Sequence, residues 1–299
     1  MDLPEPVSGA ERSQFALLGT RRFLPFFLTQ FFGAFNDNLF RNALVVSITY
    51  GAAIAADDAA VLTNLSQGLF ILPFFLFSAL AGQLADKYEK SRLIRQTRLA
   101  EVVLMILAAV ALYFGHLPSL FTLIFLLGVL ATVFGPLKYS LMPQHLRQSE
   151  LVGGNALVDS GTFLAILVGT ICGGLLVPTS SAEHAAGGAS HANVAAAATM
   201  VLIAVCTYLC ACFIPRAEAT DPHLKVNFNP ITATWEVIRA CLTRWTPEDL
   251  SATFTRRRPS GERTVERGWV VWHVLEHDIH HGGEISQILG CYGLPPLDV

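Results

Sequence analysis

Five polar residues interrupt the first long apolar stretch of the sequence, and two of them are ionisable. Asn36, Asp37 and Asn38 are consecutive, and Arg41 and Asn42 follow about one helical turn later. Asp37 and Arg41 are four residues apart, so on a helix they share a face and can form an ion pair. An ionisable group inside a bilayer costs about 2.5–3.5 kcal/mol on insertion scales. Two interpretations are open: an internal salt bridge that lets the helix insert, or a substrate or ion site that faces a central cavity.

Three further polar residues lie near the ends of later apolar stretches. Lys138 follows a Gly-Pro pair, where its side chain either snorkels to the aqueous boundary or attracts an anionic head group. Asn155 follows a Gly-Gly pair, and Asp159 lies four residues beyond it. Asp159 either faces the same cavity as the first polar cluster or caps the end of its helix. We predict that these residues belong to one polar path through the membrane.

The loop after the second apolar stretch carries a glycine, an aspartate and two lysines: Gly82, Asp86, Lys87 and Lys90. An aspartate at the end of a membrane span, followed by cations, can bridge to a neighbouring helix in one conformation of a transporter. The same cations can instead serve only as a basic anchor on one side of the membrane. The spacing predicts a conformational loop motif and leaves the second interpretation open.

Three histidines near the C-terminus have a helical spacing that suits metal binding. His273, His277 and His281 are each four residues apart and therefore share one helix face. Two histidines at this spacing can bind one metal ion, but a catalytic zinc site uses a third protein ligand, and the outer two histidines are two turns apart. A polar, histidine-rich helix face is the alternative.

The elements that must position these residues are predicted to be membrane-spanning helices. The chain has 299 residues, of which 53% are hydrophobic and 14% charged, against about one quarter charged in soluble domains. This composition argues against an ordinary soluble enzyme and a disordered chain, and the net charge of −3 does not suggest a nucleic-acid partner. Six stretches are long enough to cross a bilayer: Phe23–Ile54, Val61–Leu84, Leu93–Gly115, Leu120–Met142, Val152–Val177 and Val194–Ile214.

Basic residues predict how these spans are oriented. Nineteen of the 20 Lys and Arg residues fall on alternate sides of the spans: in the N-terminal arm, in the second and fourth loops, and after Ile214. The second loop is assigned Lys87, Lys90, Arg92, Arg95 and Arg98. By the positive-inside rule, both termini are expected in the cytoplasm.

Charge density divides the sequence into four segments. Residues 1–22 form a cytoplasmic arm, 23–214 the six-helix membrane part, 215–241 a cytoplasmic linker, and 242–299 a short tail. Residues 1–214 carry 23 charged side chains, and the much shorter remainder carries 20. The tail is expected to be helical, with a polar loop at residues 256–261 followed by an amphipathic helix from about Thr264 to Leu289. The predicted fold class is therefore all-α.

Several motifs resemble those of one family of transporters. The pattern Gly-x-x-x-Asp-Lys-x-x-Lys in the second loop resembles the loop signature of major facilitator transporters, except that Glu89 stands where that signature usually has Gly. The segments Gln30–Phe40, Gly135–Tyr139 and Gly153–Asp159 narrow the resemblance to the lysophospholipid transporter branch of that superfamily. The resemblance covers about residues 20–240.

This resemblance implies a function and a set of residues that carry it. It implies a non-enzymatic transporter of the bacterial inner membrane, which flips lysophospholipids across the bilayer by alternating access and needs no cofactor. By motif position, Asp37, Lys138 and Asp159 are the polar residues of the lipid path. Such transporters have twelve spans in two halves, and this chain supplies one half. A second half is expected from self-association or from another chain.

The tail resembles a different family. Residues 242–299 are similar to the later half of DinB-like four-helix bundles, which hold a divalent metal with three histidines. The resemblance implies that His277 and His281 bind zinc or nickel, with the third ligand absent from the segment. Two alternatives to a half-transporter follow: a membrane-tethered DinB-like metal-dependent protein, or an inactive fusion of two gene fragments.

Overall fold

Six long helices form the main body of the protein, as seen in a computed structural model that describes residues 14–50, 55–177, 189–229, 231–233, 251–258 and 261–266, with isolated positions between 236 and 248. The helices are α1 (Leu24–Tyr50), α2 (Ala56–Lys87), α3 (Lys90–Tyr113), α4 (Leu117–His145), α5 (Leu151–Leu175) and α6 (Ala189–Cys212). Each coincides with one of the six apolar stretches, so the prediction of six long helices is confirmed.

Five of these helices are long and apolar enough to cross a membrane, as judged by length and composition over the described residues: α2, α3, α4, α5 and α6. α1 is not among them, although its 27 residues would extend about 40 Å. The polar run from Asn36 to Asn42 lies in its middle. α1 therefore needs its neighbours to provide partners for these polar groups.

Short connections join the helices, and each has a local cause. Two residues separate α2 from α3, and the carboxylate of one of them, Glu89, caps α3 by accepting a hydrogen bond from the Ser91 N–H. After α3, Gly115 adopts a left-handed φ of 64°, which suits glycine and turns the chain. His116 then caps the start of α4 with its imidazole.

α1 packs mainly against α5 and also contacts α6 and α2. α3 packs against α4 and α6, and α4 also packs against α2. Glycines let the backbones of α1 and α5 approach closely. A Cβ atom at Gly173 would lie 2.5 Å from the Leu39 carbonyl oxygen, and one at Gly169 would meet the carbonyl oxygen of Phe35. The Gly-x-x-x-Gly spacing of α5 therefore serves helix packing.

The buried apolar side chains form two clusters along the bundle axis. One contains residues of α1 from Leu39 onward and of α3 from Leu104 onward. The other contains Phe26 of α1 and Ile94 of α3. Between the two clusters lies a stretch of α1 and α3 that carries charged and amide side chains. We call this stretch the polar layer; its members are Asn36, Asp37, Arg98 and Glu101.

One end of the bundle gathers the starts of α1, α3 and α5 and the ends of α2, α4 and α6. We call it the basic end, since it carries Arg22, Lys87, Lys90 and Arg147. A bidentate ion pair clamps it, because the Arg22 guanidinium donates to the two carboxylate oxygens of Glu150 at 2.8 and 2.6 Å. Arg22 also donates to the carbonyl oxygen at the end of α4, at 3.0 Å.

The chain divides into two compact units, Met1–Thr234 and Trp235–Val299. The second unit contains an antiparallel hairpin of two strands, β1 (Thr253–Arg258) and β2 (Gly261–Glu266). Arg258 pairs with Gly261, so two residues separate the paired strands in the sequence. Loops of this length are the commonest connections in hairpins.

This hairpin corrects the predicted structure of the tail. The segment 256–261, predicted as a polar loop, belongs largely to β1 and β2, and residues 264–266, predicted to begin a helix, are in β2. The all-α class therefore holds for the membrane part and fails for this part of the tail. The remainder of the predicted helix lies outside the described residues.

Candidate functional site

Lys138 of α4 and Asp159 of α5 form an ion pair, with Nζ and Oδ1 2.7 Å apart. The Lys138 side chain is only 11% exposed, whereas that of Asp159 is 48% exposed. Lys138 therefore does not snorkel to an aqueous boundary; a carboxylate at a more open surface holds its ammonium. Asp159 lies two turns inside α5, whose N-cap residue is Glu150, so the helix-capping interpretation of Asp159 is wrong.

Asn155 lies one turn before Asp159, on the same face of α5. Asn155 as a whole is half-buried, but its Oδ1 atom is fully buried and has no hydrogen-bond partner among the described residues. Leaving a buried acceptor unpaired costs about 1–3 kcal/mol. This face of α5 thus offers an unused acceptor next to an exposed carboxylate.

Asp37 and Arg41 do not pair, although their spacing permits it. No ion pair joins them in the part of the chain that the structure describes. Arg41 points instead to α2, where its guanidinium donates to the Gln67 side-chain oxygen and stacks 4.4 Å from the centre of the Phe70 ring. The interpretation of an internal salt bridge within α1 is therefore wrong, because α2 supplies better partners for the cation.

Asp37 and Asn36 retain unused polar atoms in the interior. Asn36 is fully buried, and neither its Oδ1 nor its Nδ2 atom has a hydrogen-bond partner among the described residues. The Oδ1 atom of Asp37 is likewise buried and unpartnered. Buried polar groups are hydrogen-bonded in most proteins, so each exception requires an explanation. A polar ligand or water at this place would supply the missing partners.

The other two asparagines of α1 have structural partners. Asn38 donates to the Ala34 carbonyl oxygen at 2.8 Å, within α1 itself. Asn42 donates to the Thr170 carbonyl oxygen of α5 at 2.6 Å. Within the polar run of α1, unused polar atoms therefore remain on Asn36, on Asp37 and at the Nε atom of Arg41, although α2 already holds the Arg41 guanidinium.

The sequence reasoning missed a buried ion pair within α3. Arg98 donates to the Glu101 carboxylate, and these side chains are only 7% and 1% exposed. The Arg98 guanidinium also stacks on Phe134 of α4, 4.1 Å from the ring centre. It reaches α1 as well, where a Cβ atom at Gly33 would lie 2.6 Å from its nitrogens. Arg98 thus links three helices.

The pair was missed because Arg98 was assigned to a cytoplasmic loop, whereas α3 begins at Lys90 and places Arg98 two turns inside the helix. An Arg and a Glu three residues apart, followed by an uninterrupted apolar run, would have indicated it. The charges of this pair and of Arg41 act on Asp37, so these four ionisable groups interact electrostatically.

The polar residues lie at increasing depth from the basic end. With a rise of about 1.5 Å per residue, Lys138 and Asp159 lie roughly 10–12 Å from the ends of their helices. Glu101 lies roughly 16 Å along α3, and Asp37 roughly 20 Å along α1. The polar groups therefore lie at successive depths between one end of the bundle and its middle. No hydrogen bond joins Asp37 to the Lys138–Asp159 pair in the described residues.

The four residues of the loop motif differ in their surroundings. A Cβ at Gly82 would meet nothing within 4 Å, so packing does not require a glycine there. Asp86 is exposed, and the Lys87 ammonium lies 5.8 Å from the centre of the Tyr88 ring. Lys90 is fully buried, with its ammonium bound to the segment that follows α6. Lys90 therefore differs from the other three residues in that its side chain is buried and bound to this segment.

The predicted metal ligands His277 and His281 lie outside the described residues. Within the part that is described, no group of three or more His, Cys, Asp or Glu residues could hold a metal ion. The zinc or nickel site in the tail stays a prediction.

The protein is thus a bundle of membrane-type helices with polar residues in its interior. The family model of the Major Facilitator Superfamily matches residues 26–270, and the chain belongs to this superfamily of multi-pass membrane transporters. The match includes every polar-path residue described above and extends into β2 of the tail.

Curated relatives of the chain carry a more specific name. Proteins named lysophospholipid transporter LplT, from Escherichia coli strain SE11, Escherichia coli O6:K15:H31 strain 536 and Escherichia coli O7:K1 strain IAI39, are each 29% identical to it over 229 residues. The match covers 73% of this chain and 49% of each relative, so the chain spans about half the length of these relatives. No solved structure matches the chain.

Proposed function

We propose that this chain is one half of a lysophospholipid transporter of the bacterial inner membrane, and that the Lys138–Asp159 pair receives the lipid phosphate. The observation that carries the proposal is the asymmetric burial of this pair: a shielded ammonium is held by a half-exposed carboxylate. The names of the relatives supply the substrate class, since they are lysophospholipid transporters.

A phosphate can replace the Asp159 carboxylate on Lys138 at small net cost. Both are oxyanions that form short, charge-assisted hydrogen bonds with an ammonium. Because the Asp159 side chain is half exposed, its carboxylate can leave the pair without becoming a fully buried, unpaired charge. Lys138 stays paired throughout the exchange, which avoids leaving a buried cation without a partner.

The polar layer provides the next step of the path. Asn36 offers an unused donor and acceptor and Asp37 an unused acceptor, roughly 8–10 Å deeper than Lys138 by helical rise. These atoms suit the hydroxyl or amine groups of a lipid head. Arg98 and Glu101 would hold the layer in place rather than bind lipid, because they are paired and almost fully buried.

In this proposal the basic end faces the cytoplasm, and both termini lie there, in accordance with the positive-inside rule. Alternating access places a substrate site between two halves. The second half would come from self-association or from a separate chain. We propose no cofactor for the transport step.

The test is flipping of a fluorescent lysophospholipid in proteoliposomes that contain the full chain. We expect flipping above the level of empty vesicles, and its loss in Lys138→Met and Asp37→Asn. Lys225→Met is the matched control, because Lys225 is an exposed lysine outside the helices. Flipping no faster than in empty vesicles would contradict the proposal, and so would equal flipping by Lys138→Met and Lys225→Met.

A further inference from the structure

The segment that follows α6 is bound to the basic end of the bundle. We call residues 216–227 the strap. It begins a few residues beyond Cys212, the last residue of α6, and contacts the α2–α3 loop, the end of α2 and the end of α4 through its backbone. Backbone groups in a free linker would instead bond to water. The strap therefore has a defined place within the first unit.

The strap pairs with the α2–α3 loop through Ala217. The Ala217 N–H donates to the Glu89 carboxylate at 3.2 Å, and the Ala217 carbonyl oxygen accepts from the Lys90 N–H at 2.9 Å. Both backbone groups of this one residue are thus satisfied by two consecutive residues of the loop. Ala217 is itself 1% exposed.

Lys90 adds a second connection through its side chain. Its ammonium donates to the Glu218 carbonyl oxygen at 2.7 Å and to the Thr220 hydroxyl at 2.9 Å. The residue is fully buried. A buried ammonium is costly unless its hydrogen bonds are made, and both of these acceptors belong to the strap. Removing the strap would leave this cation without a hydrogen-bond acceptor among the described residues.

Two other helix ends complete the attachment. Gln144 of α4 brackets Glu218, because its amide donates to the Glu218 carbonyl oxygen at 3.1 Å and accepts from the Glu218 N–H at 2.8 Å. On α2, the carbonyl oxygen of Asp86 accepts from the Asp221 N–H at 2.9 Å. The strap therefore ties together α2, α3 and α4 at one end.

The Glu89 carboxylate both caps α3 and binds the strap. Burial alone would raise the pKa of its carboxyl, but hydrogen bonds from Ser91 and from the Ala217 N–H, with Arg95 at 3.6 Å, more than offset this and hold the pKa below its ordinary value. The carboxylate is thus charged when it binds the strap. A glycine at this position, as in the usual loop signature, has no such acceptor.

We infer that Glu89 and Lys90 form a latch that fixes the strap to the α2–α3 loop, so that the basic ends of α2, α3 and α4 move as one body with the exit of α6. Lys90 is a positioning residue in this latch and does not contact substrate. The inference goes beyond the proposed transport function and does not depend on which ligand the chain carries.

Hydrogen–deuterium exchange of the full chain in lipid nanodiscs tests the latch. We expect Lys90→Met and Glu89→Ala to speed exchange of the amides at residues 217–221 by about tenfold or more, since hydrogen bonds to charged groups are lost. Lys87→Met is the matched control, because Lys87 is a neighbouring lysine without a bond to the strap. Exchange in Lys90→Met and Glu89→Ala equal to that in Lys87→Met would overturn the inference.

A milder variant covers the case in which a buried-lysine variant does not fold. Gln144→Ala removes both hydrogen bonds to Glu218 from the α4 side and leaves the Lys90 ammonium intact. We expect faster exchange at the Glu218 amide together with unchanged exchange in the middle of α3. Unchanged exchange at Glu218 would show that α4 does not hold the strap, which would overturn the inference that α4 moves with it.

Discussion

Replacing Glu101 tests whether the polar layer holds a buried ion pair. Glu101→Gln keeps the shape of the side chain but removes its charge, which leaves the Arg98 guanidinium buried beside Phe134. Breaking a buried pair by removing one partner costs about 3–5 kcal/mol. For a chain of this size, each kcal/mol lowers the Tm by about 2–4 °C, so we expect a decrease of roughly 6–20 °C.

The assay is thermal unfolding in detergent, followed with a thiol-reactive fluorophore. The chain carries free, half-buried cysteines within its helices, Cys172, Cys206 and Cys210, which become reactive on unfolding. The control is Asp58→Asn, an exposed carboxylate of α2, for which we expect a change within about 0.5 kcal/mol.

A double variant tests whether the loss of stability comes from the Arg98 charge that Glu101→Gln leaves unpaired. Arg98→Met with Glu101→Leu removes both charges together and leaves the net charge of the polar layer unchanged. Apolar replacement of a whole buried pair is often neutral or stabilising, so we expect most of the lost Tm to return. The reasoning is refuted if Glu101→Gln has the same Tm as the Asp58→Asn control, or if the double variant has a lower Tm than Glu101→Gln.

Two further predictions concern the packing of α1 and the ionisation of the latch. Gly173→Ala would place a Cβ 2.5 Å from the Leu39 carbonyl oxygen; we expect a loss of about 1–3 kcal/mol of unfolding free energy, against almost none for Gly82→Ala, measured by the same thermal assay. Because the pKa of Glu89 is held below its ordinary value, its stabilisation is fully present above about pH 4.5 and is lost as the pH falls through the lowered pKa. The Tm difference between wild type and Glu89→Gln should therefore be constant above this pH and shrink below it, whereas a difference that stays constant through strong acid would contradict the assignment.

Hydropathy was sufficient to predict the six helices but not the partners of their polar residues. Apolar stretches of bilayer length leave few alternatives to a spanning helix. The Asp37–Arg41 pair, one of the two interpretations that the sequence left open, failed for a tertiary reason. Gln67 and Phe70 lie on a different helix, and spacing within α1 contains no information about them. The ion pair between Lys138 and Asp159 also joins two helices, and the sequence suggested only that each residue belonged to the path.

The tail shows the opposite failure, in which local signals were present and were misread. Arg256 and its neighbours were interpreted as a solvated loop because of their charge. The register instead places Phe254 opposite Val265 and Thr255 opposite Thr264, pairs typical of strands. Charge alone was a poor guide to secondary structure here.

The partners of α1 have a consequence for how the protein is made. The Asn42 amide of α1 is satisfied by Thr170 of α5, which is 128 residues later in the chain. At about 5–20 residues per second, a ribosome needs roughly 6–25 s to synthesise the intervening residues. During this interval α1, which is not among the five described helices that are apolar enough to cross a membrane, has emerged without its final neighbour. Biogenesis of this protein must therefore shelter α1 until α5 arrives, and ribosome stalling within that window would expose its polar groups to lipid.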